Sequence, residues 1–382
     1  MNEVYVVSAV RSPVGRRGGG LSAVHPADLA GHVLSAAVAR AGVDPEVVDD
    51  VILGCVGQIG AQTGNIARTA WLSADLPEGV PGTTIDRQCG SSQQAVHFAA
   101  QAIRAGDQDI VVAGGVEVMS LVPIASPVSV GGREGMGFPL SGDGWIKRYG
   151  EQEVSQFRGA ELIAERWNVS RHDMEVLALA SHERAVRGEQ SGVFGDEIVP
   201  YGEIQRDECP RPDTSLERMA SLAPIVEGGR LTAAVSSAIA DGAAALVLAS
   251  KAAIDRYGLT PLARIHATTV VGSDPILMLT GPIKATQDVL RKGKLSVGDI
   301  DHFEVNEAFA SVVLAWARET SADLAKTNPL GGAISQGHPL GATGAKLMTT
   351  MVHNLHRTGG RYGLQVMCEG GGMANATILE RA

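Results

Sequence analysis

Two kinds of apolar pattern alternate along the chain. Short, partly β-branched runs bounded by glycine, proline or charge occupy residues 4–10, 51–56, 83–85 and 110–113, and such runs predict strands. Between them, residues 27–41, 66–74 and 95–105 carry apolar side chains three and four apart. Ala95, Val96, Ala99, Ala100 and Ile103 are one such set, predicting helices with one buried face. The texture changes from 119 to about 229: a glycine-rich stretch, 131–137, is followed by predicted helices at 156–167 and 171–187. Ser170 and Asp173 resemble a capping arrangement for the second of these helices. Strand and helix resume at 243–248 and continue through 263–271, 302–305, 341–355 and 363–367.

The resumed part echoes the first. Residues 41–53 and 292–303 both run from a helix end through a polar turn into a strand, and Gly114-Gly115 is matched by Gly370-Gly371-Gly372. Two related α/β halves with an insertion in the first are therefore expected.

Length and composition sharpen this picture. At 382 residues the chain exceeds what one core usually supports, so two or more domains are expected. Hydrophobic residues make up 45% but aromatics only 4%, so the core must be built from Ala, Val, Leu and Ile, packed closely with help from 47 glycines. A net charge of -10 argues against nucleic acid or an anionic membrane surface as the main partner, while leaving room for a local basic pocket. Cys55, Cys89, Cys209 and Cys368 show neither zinc-site nor disulfide-framework spacing, which fits a reducing cytoplasm. The N-terminus enters a strand-like run directly, the last four residues are not a peroxisomal address, and no apolar run reaches about 18 residues. A soluble, cytoplasmic protein is expected.

Four positions carry candidate chemistry. Cys89 stands where a strand ends and an amphipathic helix begins, where unpaired N–H groups and the helix dipole lower a thiol pKa. A cysteine there also serves as inert core filling. His338, in Gly337-His338-Pro339-Leu340-Gly341, lies just before a helix where it can activate a thiol; a bland glycine-rich turn is the competing account. Cys368 ends the last apolar strand before Glu369-Gly370-Gly371-Gly372 and can act as an acid or base if its pKa stays near its usual value, or be a core cysteine. Asn306 sits between a strand and a helix, a place where helix capping alone would explain it. His353 and His356 lack further ligands for a metal site.

In this order and context the four resemble the motifs of the thiolases. Cys89-Gly90-Ser91 matches the nucleophile motif, Asn306-Glu307-Ala308-Phe309 the asparagine motif, Gly337-His338-Pro339 the histidine motif and Cys368-Glu369-Gly370 the second-cysteine motif. The likeness extends from Ala9-Val10-Arg11-Ser12-Pro13 to Ala376-Thr377-Ile378-Leu379-Glu380, essentially the whole chain.

The resemblance implies an α/β thiolase fold, two related halves in a layered α-β-α-β-α core with an inserted loop domain. Residues 1–118 and 230–258 would form the first half, 119–229 the insertion that binds CoA and substrate, and 259–382 the second half. It implies that Cys89, deprotonated by His338, attacks the 3-oxo carbonyl of a 3-oxoacyl-CoA, and that Cys368 protonates the departing enolate. One oxyanion site would be His338 with a water held by Asn306, the other the backbone N–H groups of Cys89 and Gly370. For CoA it points to Ser237, Arg211 and Phe309. No metal or redox cofactor is implied beyond CoA as co-substrate, and a homodimer or homotetramer is.

Several positions depart from the family pattern: Ser92 and Ala374 replace glycines, Val235 and Ala240 replace asparagines, and Glu369 is often apolar or small in relatives. Glu369, beside Cys368, can raise the pKa of that thiol or point to solvent, and the second is expected. Asp86-Arg87-Gln88-Cys89 and the triple glycine after Glu369 look like degradative thiolases acting on fatty-acid or steroid-derived esters. A ketosynthase-type enzyme would replace Cys368 with histidine. A non-catalytic acyl-CoA- or lipid-binding relative would lose at least one of Cys89, His338 and Cys368.

Overall fold

The computed structural model describes residues 2–382. Its strands are β1 (Val4–Arg11), β2 (Gly15–Arg16), β3 (Asp50–Gly54), β4 (Gly82–Ile85), β5 (Ile110–Val118), β6 (Ala240–Ser250), β7 (Ala263–Gly272), β8 (His302–Val305), β9 (Tyr362–Glu369) and β10 (Met373–Arg381). They follow one hydrogen-bonded path, β4-β3-β5-β6-β1-β7-β10-β9-β8, with β2 on β6.

The path is two copies of one pattern. In the first half β1 pairs antiparallel with β6, β6 antiparallel with β5, and β5 parallel with β3. In the second, β7 pairs antiparallel with β10, β10 antiparallel with β9, and β9 parallel with β8. Even the β3–β4 pairing has an echo in a single parallel bridge between Phe303 and Thr327. Within the sheet β1 and β7 pair through Tyr5↔Arg264 and Val6↔Ala263, so the continuous sheet is two sheets joined at a short seam.

Burial sorts the helices into layers. Helix Pro26–Ala41 and helix Ile66–Ser73 pack Leu29, Val33, Ile66 and Trp71 on one face of the first half. Helix Gly281–Gly293 and helix Ala310–Thr320 place Val289, Val313 and Trp316 on the outer face of the second. Helix Ser91–Ala105 and helix Thr343–Thr358 lie between, where Val96, Ile103, Met348 and Val352 share a core with Val6, Val111, Leu246, Ile265 and Leu379 from both halves. This gives the expected five layers.

The central helices touch through backbone at their N-terminal ends. A Cβ on Gly344 would lie 2.5 Å from Gln93 N, and one on Gly54 would lie 2.5 Å from Ser92 N. Helix Thr343–Thr358 has no side-chain cap of its own, and Ser92 Oγ accepts from Ala345 N at 2.9 Å, capping it from the other half. Serine in place of the family's usual glycine thus has a structural job.

Between β5 and β6 the chain forms helices Ser126–Arg133, Asp143–Tyr149, Gln156–Arg166, Arg171–Gln190 and Leu216–Ala220. The Ser170–Asp173 capping box is present. Although this segment interrupts the first half in sequence, Ile163, Met174 and Met219 pack with Phe309, Val312 and Ile334 of the second. Arg11 ties it to β1: fully buried, it bonds Glu197 at 2.6 Å and Asp207 at 2.7 and 2.9 Å. Periodicity had passed over β10, whose Ala, Asn and Thr are weakly apolar, and the two outer helices of the second half. No helix among the described residues is long and apolar enough to cross a membrane.

Gly344→Ala would force backbone against backbone at the helix crossing. A stability loss of about 1–3 kcal/mol is expected, read as a lower urea midpoint at unchanged m-value. A variant as stable as wild type would show that the crossing can relax.

Candidate active site

Cys89 and His338 each precede the N-terminus of a central helix, so the crossing of those helices sets both at one end of the fold. Gln88, just before Cys89, sits at φ 50°, a conformation costing a non-glycine residue about 1–3 kcal/mol. The turn is held by Ser91, whose Oγ accepts from Arg87 N at 2.9 Å and donates to Gln88 O at 2.6 Å. The Gly370 turn between β9 and β10 lies against it, where a Cβ on Gly370 would come within 2.9 Å of Gln88 Oε1.

Cys89 keeps partial exposure, yet protein surrounds it on most sides, and this desolvation pushes its thiol well above the usual range. Negative charge on Cys368 or Glu369 adds to the rise, while the N–H groups of Cys89 itself and Gly370 oppose it. The expected lowering at the helix N-terminus is therefore not what the resting site shows. Burial outweighs the dipole, and the thiol rests protonated.

His338 is clamped from both halves. Glu117 of β5 accepts from Gly341 N at 2.9 Å while also bonding Val56 N, Gly57 N and Gln62 Nε2. Glu307 accepts from Ile334 N at 3.2 Å, Ser181 Oγ at 2.7 Å and Asn328 Nδ2 at 2.9 Å. The Thr343 hydroxyl donates to Pro339 O at 2.8 Å, so at 2.7 Å it must accept from His338 Nδ1–H. The imidazole is thereby held in the Nδ1–H tautomer, leaving Nε2 with a lone pair and no hydrogen bond. Burial, helped by nearby Lys346, pushes its pKa down to about 3.

Cys368 is buried at the end of β9, with Asn306 Nδ2 donating to its Sγ at 3.6 Å. Desolvation pushes this thiol up to about 12, with Asn306 opposing, so its pKa does not stay near the usual thiol value. Asn306 caps no helix: the next one begins at Ala310 with Phe309 at the cap position. Glu369 does not reach solvent. It is fully buried, because the Cys89 turn closes over it.

A cavity of about 990 Å3 leads to His338 and is lined by Ser237, Arg211 and Phe309 as well. Ser237 is fixed by its N–H to Ala308 O at 2.9 Å, Phe309 stacks edge-on with Phe157, and Arg211 is exposed. Cys209, which had no assigned role, also lines it. The structure thus forms two clusters, Cys89–Gly370–Cys368–Asn306 and His338–Ser237–Phe309–Arg211, and no hydrogen bond joins His338 to Cys89. Thr343, Glu117 and Lys346 escaped sequence reasoning; lone charges in apolar runs were the available signal for the last two.

The tautomer is directly testable by 15N NMR. His338 should remain a neutral Nδ1–H imidazole from pH 8 down to pH 5, and Thr343→Val should yield a tautomer mixture. Titration near the ordinary 6.5 would contradict the burial argument.

Family models give this arrangement its context. The thiolase N-terminal domain matches residues 4–252 and the thiolase C-terminal domain residues 259–381. The chain is 56% identical over 386 residues to a steroid 3-ketoacyl-CoA thiolase of Mycobacterium tuberculosis, covering 100% of this chain and 95% of that protein. It is 43% identical over 403 residues to the 3-oxoadipyl-CoA/3-oxo-5,6-dehydrosuberyl-CoA thiolase of Escherichia coli, covering 100% of both. The crystal structure of the Bacillus anthracis acetyl-CoA acetyltransferase matches with a TM-score of 0.90 at 37% identity, over 100% of this chain and 99% of that one. With both halves of the family model matched and the relatives aligned from end to end, the chain belongs to the thiolase family and is an enzyme of that family.

Proposed function

We propose that this enzyme is a degradative thiolase that cleaves a fatty-acid- or steroid-derived 3-oxoacyl-CoA with CoA through an acyl-Cys89 intermediate. The observation that carries the reading is the meeting of the half-buried Cys89 thiol and the buried Cys368 thiol beside the Gly370 turn, with a neutral imidazole whose Nε2 is unengaged at the cavity that reaches the same end of the central helices. The relative named for steroid 3-ketoacyl-CoA supports the substrate class.

Each buried group then has a task. Cys89 gives up its proton to His338 Nε2 as its sulfur closes on the 3-oxo carbon, since a stored thiolate is disfavoured by burial. The C2–C3 bond breaks, its electron pair moves into the thioester as an enolate, and the S–H of Cys368 protonates C2. A thiol held up to about 12 keeps that proton until so basic a carbon is formed. CoA then gives its thiol proton to the Cys368 thiolate as its sulfur attacks the acyl carbon, and Cys89 leaves and takes back the proton held by His338, so both cysteines return to the resting state. The N–H groups of Cys89 and Gly370 serve one developing oxyanion, and His338 with a water on Asn306 the other, each worth roughly 2.7–4 kcal/mol.

Residues 119–229 are the unit that shapes the acyl and CoA sites between the half made of 1–118 with 230–258 and the half 259–382. Its Phe157, His182 and Arg211 line the cavity with Ser237 and Phe309. Arg16, Arg17 and Arg211 supply positive charge for CoA phosphates. CoA is the co-substrate, and the chemistry calls for no metal or redox group. The insertion also exposes Met136 and Phe138, apolar side chains that a second copy would cover, which supports a homodimer or homotetramer. Four unbridged cysteines accord with the cytoplasm.

Thiolysis of a 3-oxoacyl-CoA panel, from acetoacetyl-CoA to long-chain and ring-derived esters, tests the reading. Wild type should turn over at least one member and show an acyl adduct by intact mass; Cys89→Ala should lose the adduct and about a thousandfold or more in rate. Binding without turnover or adduct would instead favour the non-catalytic acyl-CoA-binding alternative. Arg211→Ala should raise KM for CoA about five- to tenfold with kcat little changed, and an unchanged KM would remove Arg211 from the CoA site.

A further inference from the structure

Among the described residues Glu369 is the carboxyl that bears on both thiols, and the chemistry above leaves it without a task. Successive side chains of a strand point to opposite faces, so while Cys368 meets Asn306 on one side of β9, Glu369 lies under the Cys89 turn on the other. Its Oε1 is 2.0 Å from where a Cβ on Gly90 would stand, and Asn375 Nδ2 is 2.9 Å from the same point. The amide donates to Gly90 O at 3.0 Å. Glu369 is 0% exposed, and neither of its oxygens has a hydrogen-bond partner; Asn375 Oδ1 beside it has none either. A carboxylate in that setting would leave its charge unanswered, whereas a carboxylic acid carries none.

We propose that Glu369 is a positioning residue of the two-thiol centre, a buried carboxyl that eases formation of the Cys89 thiolate while it holds its proton and hinders it once ionised. This rests on Cys89 being the nucleophile. The groups facing it are Cys89 and Arg87 from the turn, Cys368 from its own strand, and the uncharged Asn375 from β10. Burial raises the carboxyl to about 8, with Arg87 opposing and the Asn375 N–H directed at it without completing a hydrogen bond. The direction of its influence is set: once ionised, Glu369 raises the pKa of both thiols. As pH rises through its pKa, the thiolate at Cys89 becomes harder to form even though hydroxide is more abundant.

Alkylation of Cys89 by iodoacetamide, followed by intact mass and peptide mapping from pH 6 to 10, reads this without CoA, whose own thiol titrates. In wild type the log rate should climb, flatten near pH 8, and climb again on a lower parallel line. Glu369→Gln should give one straight line, so that the ratio of its rate to that of wild type grows with pH. Each pKa unit of interaction between Glu369 and Cys89 makes this growth about tenfold.

A straight wild-type line through pH 8 overturns the proposal even if the variant does not fold. A variant that keeps the bend, or is slowed by one factor at every pH, overturns it too and leaves Glu369 a purely structural role. A map in which Cys89 never reacts at any pH removes the nucleophile assignment itself, an outcome distinct from labelling without the bend.

Discussion

The close crossing of the two central helices is the constraint on which the rest of the structure depends. Both have their N-terminal ends at one place, where Gly344 meets the backbone of Gln93 and Ser92 caps the partner helix through Ala345. Because Cys89 precedes one helix and the His338 loop the other, residues 249 apart in sequence reach the same end of the molecule. The interdomain seam is too short to do this alone, with two residue pairs between β1 and β7. A shared core of alanine, valine and methionine fixes the helices instead, and the shortage of aromatics is what lets them approach so closely.

Around that crossing, buried charge serves position more than catalysis. Glu117 comes from β5 of the first half and Glu307 from just after β8 of the second, and they hold the His338 loop at either end through backbone N–H groups. Arg11, Glu197 and Asp207 pin the insertion against the first strand, so the wall of the cavity is fixed relative to its floor. Removing one partner from such a network strands the other, so these groups act together.

The same burial governs the reacting groups. Desolvation favours neutral forms, lifting both thiols and lowering the imidazole, so the resting centre stores no separated charge. Ionisation then belongs to the reaction, when substrate carbonyls and backbone N–H groups are there to receive the developing charge. Thr343 contributes by fixing which imidazole nitrogen carries the proton.

Much of this was legible in the chain. Alternating apolar periods announced strands and helices, the echo of 41–53 in 292–303 announced two halves, and four motifs in order announced the family, because local pattern and residue type survive without coordinates. Other features were not legible. The pKa of Cys89 was misjudged because a helix N-terminus is visible in sequence while the protein packed around a thiol is not. Glu369 looked solvent-bound because a charged residue at a strand end usually is, and only the turn carrying Gly90, 279 residues away, buries it. Ser92 read as a loss of glycine until the partner helix supplied its hydrogen bond. The sequence by itself determined the elements, the family and the chemical identities at the site; tertiary structure alone decided their protonation and orientation, since these depend on dielectric and hydrogen-bond partners contributed by distant parts of the chain.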